Sequence, residues 1–166
     1  GKVTSIRCII KAAAMSKHGI EKSTSTAAIR ALLAKHDVVT PPQWFQAMLA
    51  QGVLLLNAAL TASSDDAMST SKHTSFWKPV IEAIVTEILR AKQASKSGVV
   101  FAWWGAHAKN LRAVVEKIAA RFPDVHVKHV DHCNPAAMGD AFCDGDHFGA
   151  INDAVTALGM KPVDWL

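Results

Sequence analysis

The chain has 166 residues, of which 50% are hydrophobic and 19% charged. That composition supplies one domain with a sizeable core and excludes a disordered chain. A formal net charge of +4 and a sequence pI of about 9.1 favour an anionic partner such as nucleic acid without naming one.

In chain order, Val3 to Ile10 reads as a short buried strand, with Ile6, Cys8, Ile9 and Ile10 apolar. Lys11 to Lys22 reads as a loop in which Ala12-Ala13-Ala14-Met15 is compatible with a helix. Thr24 or Ser25 is placed to cap a helix running to His36, with Ile29, Leu32 and Leu33 as its buried stripe. Pro41-Pro42 opens a turn into a short helix from Gln43 to Ala50. Gly52 to Leu56 is a continuous apolar run, the pattern of a strand covered on both faces.

Ser63 to Ser75 is polar and reads as a surface loop. Trp77 to Lys92 carries Val80, Ile81, Ile84, Val85 and Ile88 on one side and is the longest amphipathic helix. A turn at Ser95 to Gly98 leads into a buried strand, Val99 to Trp104. Leu111 to Arg121 reads as a helix, Val125 to Val130 as a strand, and Phe148 to Leu158 as the last helix, closed by Gly159. Apolar strands alternating with helices predict an α/β fold, a three-layer αβα domain with a mainly parallel central sheet. One domain is expected over residues 1–166, with no internal repeat and no linker.

Cys8, Cys133 and Cys143 make an odd count without metal-ligand spacing, which fits a reducing compartment. The longest apolar runs reach about five to seven residues, against the ~20 that a spanning helix needs. No signal peptide is visible. His126, His129, Asp131, His132, Cys133 and Cys143 hold metal-ligating groups. On a strand, however, His126 and His129 would point to opposite faces, so no metal is expected. Cys8 reads as a small core residue and Trp103-Trp104 as sheet packing. Lys11, Lys17 and Lys22 cluster and could contact RNA or an acidic protein patch.

Four landmarks appear in order. They are Gln51 to Thr61, with an apolar run ending at Asn57; Val99 to Gly105, ending in Trp-Gly; Asp131-His132-Cys133-Asn134-Pro135-Ala136; and His147-Phe148 with Asn152 and the closing Gly159 to Trp165. Together they resemble the uracil-DNA glycosylase family over nearly the whole chain. The resemblance implies that fold and the removal of a flipped-out uracil from DNA. It also implies that the family's N-terminal helices or a targeting segment are absent ahead of Gly1.

By the same resemblance, several pocket positions are changed. Ala14 stands where the family has the water-positioning aspartate, and Ala13 where it has the neighbouring glutamine. Lys22 stands where an aromatic ring stacks on the base, and the chain has no Tyr at all. Asn57, which would read the polar edge of uracil, and His132, which would donate to its carbonyl oxygen, are kept. Ala136 replaces the leucine that fills the gap left by the flipped base. Asp140 replaces a basic residue and Ala106 a phosphate-binding serine. An acid at position 140, with Asp144 and Asp146 near it, would repel phosphate.

Methyl groups cannot hold a water by hydrogen bonding. Losing one preorganised group costs about 10²–10³ in rate, and several are lost here. The expectation is therefore a protein that is not an enzyme. It would be an inactive glycosylase-like scaffold within a larger assembly of protein and RNA, such as a mitochondrial ribonucleoprotein. No cofactor, membrane or small-molecule substrate is expected, and the location is mitochondrial, with nuclear or cytoplasmic as alternatives. Two further readings stand beside it: an active, divergent glycosylase with Glu21 as the replacement acid, and a nucleic-acid binder without chemistry.

Overall fold

The computed structural model describes residues 4–36, 40–63 and 70–166. Its elements are α1 (Thr4–His18), α2 (Thr26–Lys35), α3 (Pro41–Ala50), α4 (Thr70–Ala94), β1 (Val99–Trp104), α5 (Ala106–Lys109), α6 (Arg112–Ala119), β2 (Val127–His132) and α7 (His147–Thr156). A kinked 3₁₀ segment, Met138–Asp144, precedes α7. The chain divides into two compact units, residues 55–131 and the two flanking stretches 1–54 and 132–166.

The middle unit is built on a β-α-β crossover. β1 and β2 lie side by side in a small parallel sheet, and the chain between them forms α5 and α6. α4 packs on α6, and α5 packs on β1. Ile81, Val85 and Leu89 recur at spacings of four and point into one cluster with Trp103, Val115, Ile118, Phe122 and Val125. Trp103 donates its indole N–H to His129 Nδ1 at 3.1 Å, so the sheet face contains one satisfied polar pair. Burial, then the charge of Arg112, lowers the pKa of His129.

The flanking unit is helical. Ser25 accepts from the backbone N–H of Ala28 and caps α2, as its position predicts. Pro41 and Pro42 occupy the first turn of α3, where their missing N–H groups cost nothing. α1 packs against the 3₁₀ segment and against α7. Ala14, Ile29 and Leu33 form a small cluster with Ile10, Ile20 and Leu166 packed on it. Trp44 Nε1 donates to the Trp165 carbonyl at 2.7 Å, which ties the closing residues to α3.

The cap of α7 fixes its own sequence. Asp146 Oδ1 accepts from the Gly149 N–H at 2.9 Å. A Cβ on residue 149 would lie 2.0 Å from Asp146 Oδ2, so a side chain there would require the Asp146 carboxylate to shift.

The α/β class stands, and three expected elements are corrected. The segment read as a strand ending at Ile10 is the helix α1, and Val3 lies outside the described residues. Its buried residues, Cys8, Ile9, Ala12 and Ala13, follow helical spacing, and the alanines that continue the run favour a helix. The run from Gly52 to Leu56 is not a strand. Leu54 is 51% exposed and Leu55 and Leu56 are each 37% exposed, so apolar content alone did not make a covered strand. Of the expected loop Ser63 to Ser75, residues 64–69 lie outside the described set, and α4 already begins at Thr70.

Candidate active site

His132 ends β2 and is 4% exposed. Its Nδ1 lies 2.9 Å from Nδ1 of His147, the first residue of α7. The two rings meet nearly edge to face, with centroids 4.5 Å apart. His147 also packs on Phe142, centroid to centroid 4.3 Å. Its Nε2 lies 3.7 Å from Sγ of Cys133. Three side chains from the end of β2 and the start of α7 therefore form one chain of polar contacts, Cys133 to His147 to His132.

A contact between two Nδ1 atoms has a definite chemical content. One nitrogen must carry a proton and the other must offer a lone pair. Two imidazolium rings would bring two N–H groups face to face, so the pair holds at most one positive charge. Burial lowers the pKa of His147, against smaller opposing effects from the Phe142 carbonyl and Asp146. Burial thus makes His147 harder to protonate than a free histidine.

The loop after His132 is shaped by backbone and charge. Asn134 Oδ1 accepts from the Ala136 N–H at 2.8 Å, which closes a tight turn and leaves Ala136 exposed. Met138 follows and is 95% exposed. Gly139 (φ 66°) and Asp140 (φ 55°) both lie in the left-handed region.

Asp140 accepts from Arg7 at 2.6 Å, from Lys11 at 3.4 Å and from Cys8 Sγ at 3.5 Å. Burial would raise its pKa, but the hydrogen bonds from Cys8 and Lys11 and the charges of Arg7 and Lys11 hold the carboxyl below its ordinary value. This acid was expected to repel phosphate. Instead it faces two cations, so its negative charge is offset within the fold.

The other expected positions fall in both units. Ala13 and Ala14 are fully buried in α1, and Ala14 packs with Ile29 and Leu33. Lys22 is ion-paired to Asp144 at 2.5 Å. That hydrogen bond raises the Lys22 pKa. Lys17 is paired with Asp164. Lys11, Lys17 and Lys22, read as a cluster for a partner, thus each hold an acid of the same unit. Glu21 is exposed and accepts from Ser23 Oγ at 3.1 Å. Asn57 and Ala106 belong to the middle unit and are exposed, Asn57 in an irregular stretch and Ala106 at the first turn of α5. Among the described residues no group of three or more His, Cys, Asp or Glu side chains is arranged to hold a metal ion.

Sequence reading singled out His132 but used His147 only as a landmark. The available signal was weak: a second histidine at the start of a helix, 15 residues on. The counter-charges on Asp140 come from 133 and 129 residues away, beyond any local pattern.

Comparison with known proteins supplies relatives. The chain is 32% identical over 130 residues to the uracil-DNA glycosylase of Aeromonas salmonicida, covering 78% of this chain and 54% of that protein. It is 30% identical over 129 residues to that of Salmonella arizonae (76% and 51%). It is 32% identical over 124 residues to that of Saccharomyces cerevisiae (69% and 33%). It therefore spans about half the length of the bacterial relatives and a third of the yeast one. No protein-family model matches the chain. No solved structure matches it either. All three relatives carry the name of an enzyme, and this overturns the expectation that the chain is not one. That expectation treated each missing family side chain as a lost activity, and substitutions alone do not establish that.

Proposed function

Because this chain belongs to the uracil-DNA glycosylase family, we propose that it acts on uracil in DNA and releases the base by hydrolysis. The bond between the base nitrogen and the sugar carbon breaks, and its electron pair goes to the base. A water oxygen adds to that carbon, and the proton water gives up is balanced by protonation of the base. The products are free uracil and an abasic sugar.

The observation that carries this reading is His132. It is buried at the end of a strand, and its ring is held through Nδ1 by His147. With Nδ1 engaged, Nε2 is the nitrogen by which the ring would address a base. A neutral donor aimed at a carbonyl oxygen stabilises the charge that grows there as the bond breaks. The acid nearest in sequence to the substituted Ala14 position is Glu21, which we assign to the attacking water.

The test is uracil release from a single-stranded oligonucleotide with one uracil. Release is expected, with a drop of about 10²–10³ in kcat for His132→Ala. A smaller loss is expected for Glu21→Gln. Absence of release by the unaltered chain, or release that survives His132→Ala unchanged, would refute the reading.

A further inference from the structure

We infer that Ser63 and His73 form a nucleophilic dyad that accepts an acyl group from an activated ester. The proposed release of uracil uses neither residue.

His73 lies near the start of α4 and is 8% exposed. Both of its ring nitrogens meet hydroxyl groups. Nε2 lies 3.0 Å from Oγ of Ser63, and Nδ1 lies 3.0 Å from Oγ1 of Thr61. Trp77 follows His73 by one helical turn, on the same face of α4. It donates its indole N–H to that same Thr61 oxygen at 2.8 Å. The imidazole is therefore shielded and held from both sides, while Ser63 is exposed.

A hydroxyl can donate or accept, so either ring nitrogen can carry the proton without a heavy atom moving. In one arrangement Nδ1–H donates to Thr61 and Nε2 accepts from the Ser63 O–H. The Thr61 oxygen has two lone pairs, one for Trp77 and one for His73. This is the relation of a nucleophile to its base, with the base oriented by a third group. The charged ring fits as well, since its two N–H groups then face two oxygens. The His132–His147 contact lacks that property, because a second proton there would meet another N–H. His73 can thus gain and lose a proton where it stands, as a general base must.

In the reaction, Ser63 Oγ bonds to the acyl carbon as its proton passes to His73 Nε2. The bond from that carbon to the leaving oxygen breaks. The leaving oxygen keeps the electron pair and takes the proton from His73. A Ser63 ester and a free alcohol result. Two exposed apolar side chains border the network in sequence: Leu60, beside Thr61 and 45% exposed, and Phe76, beside Trp77 and 67% exposed. Phe76 stands edge-on to Trp77, with ring centroids 5.4 Å apart. These groups favour an apolar or aromatic ester over a charged one.

The probe is an alkyl fluorophosphonate. Its phosphorus stands in for the acyl carbon, and its fluoride leaves with the serine proton as HF. Intact-mass and peptide mass spectrometry should show one adduct on the folded chain, at Ser63, and none on Ser63→Ala. His73→Asn keeps an amide for Thr61 but offers Ser63 no base, and should slow labelling by about 10²–10⁴-fold. Thr61→Val should slow it less, and Thr61→Ser should restore it.

Absence of an adduct at Ser63 overturns the inference. So does a Ser63 adduct that forms as fast on folded His73→Asn, or on the urea-unfolded chain, as on the native one. The comparison of native with unfolded chain decides the matter where His73→Asn does not fold.

Discussion

The two units of this chain are held by different physics. The middle unit has an apolar core, in which Ile81, Val85 and Leu89 of α4 meet Trp103 of β1, Val115 and Ile118 of α6, and Phe122 and Val125. The flanking unit joins two stretches far apart in the chain and fastens them with polar side chains. Arg7 and Lys11 hold Asp140, Ser16 holds Asp146, Lys17 holds Asp164, and Lys22 holds Asp144. Gln51 both donates to and accepts from the backbone of Asp164. The difference shows how each unit obtains its precision. A regular crossover needs only apolar periodicity, whereas a helical unit assembled from both ends of the described chain needs addressed contacts. The histidine pair lies in the addressed unit.

Three measurements sharpen this contrast. The largest effect is expected at Leu89, which is wholly buried. Leu89→Ala should cost about 2–5 kcal/mol by lost transfer energy and cavity formation, read by urea denaturation. A loss well below that would mean that the middle unit is not held by its core. A smaller cost is expected at Asn152, whose amide donates to the Val163 carbonyl at 3.0 Å and accepts from the Val163 N–H at 2.9 Å. Asn152→Ala should cost roughly 1–3 kcal/mol, because two backbone groups lose their partner. A neutral outcome would remove addressed contacts as the cement of the flanking unit.

The smallest effect is the pH dependence. His18, His129 and His147 all have lowered pKa values, with burial the leading cause in each. A base harder to protonate when folded stabilises the fold above its unfolded pKa. That contribution is lost as pH falls through the ordinary histidine range near ~6.5. Denaturation midpoints should therefore fall between neutral and mildly acid pH. NMR titration of each histidine should show His18 and His147 contributing in the flanking unit and His129 in the middle one. A midpoint that rises on acidification would contradict this.

Legibility in the sequence followed the same division. β1, β2, α6 and most of α4 were readable because a run of apolar residues at one period names both an element and its buried face. The start of α4 was missed because Thr70 to Phe76 carries little apolar signal. α1 was missed because Ile6, Cys8, Ile9 and Ile10 fit either period, and only the burial of Ala12 and Ala13 separates them. His132 was readable as a motif residue. Its partner was not, since a contact between two Nδ1 atoms depends on how α7 meets the end of β2. Asp140 was readable as a charge, but its neutralisation by Arg7 and Lys11 was not, because electrostatics is settled by folded distance.

The glycine at position 149 has a consequence for how this chain can vary. Because the Asp146 carboxylate occupies the space of a side chain there, the two residues are sterically coupled. A change at 149 would expel the carboxylate and unfasten both the first turn of α7 and its link to Ser16. A change at 146 would in turn relieve 149 of its restriction. Variation should therefore pass through 146 first, so sequences that carry a bulkier residue at 149 should start this helix with some other cap.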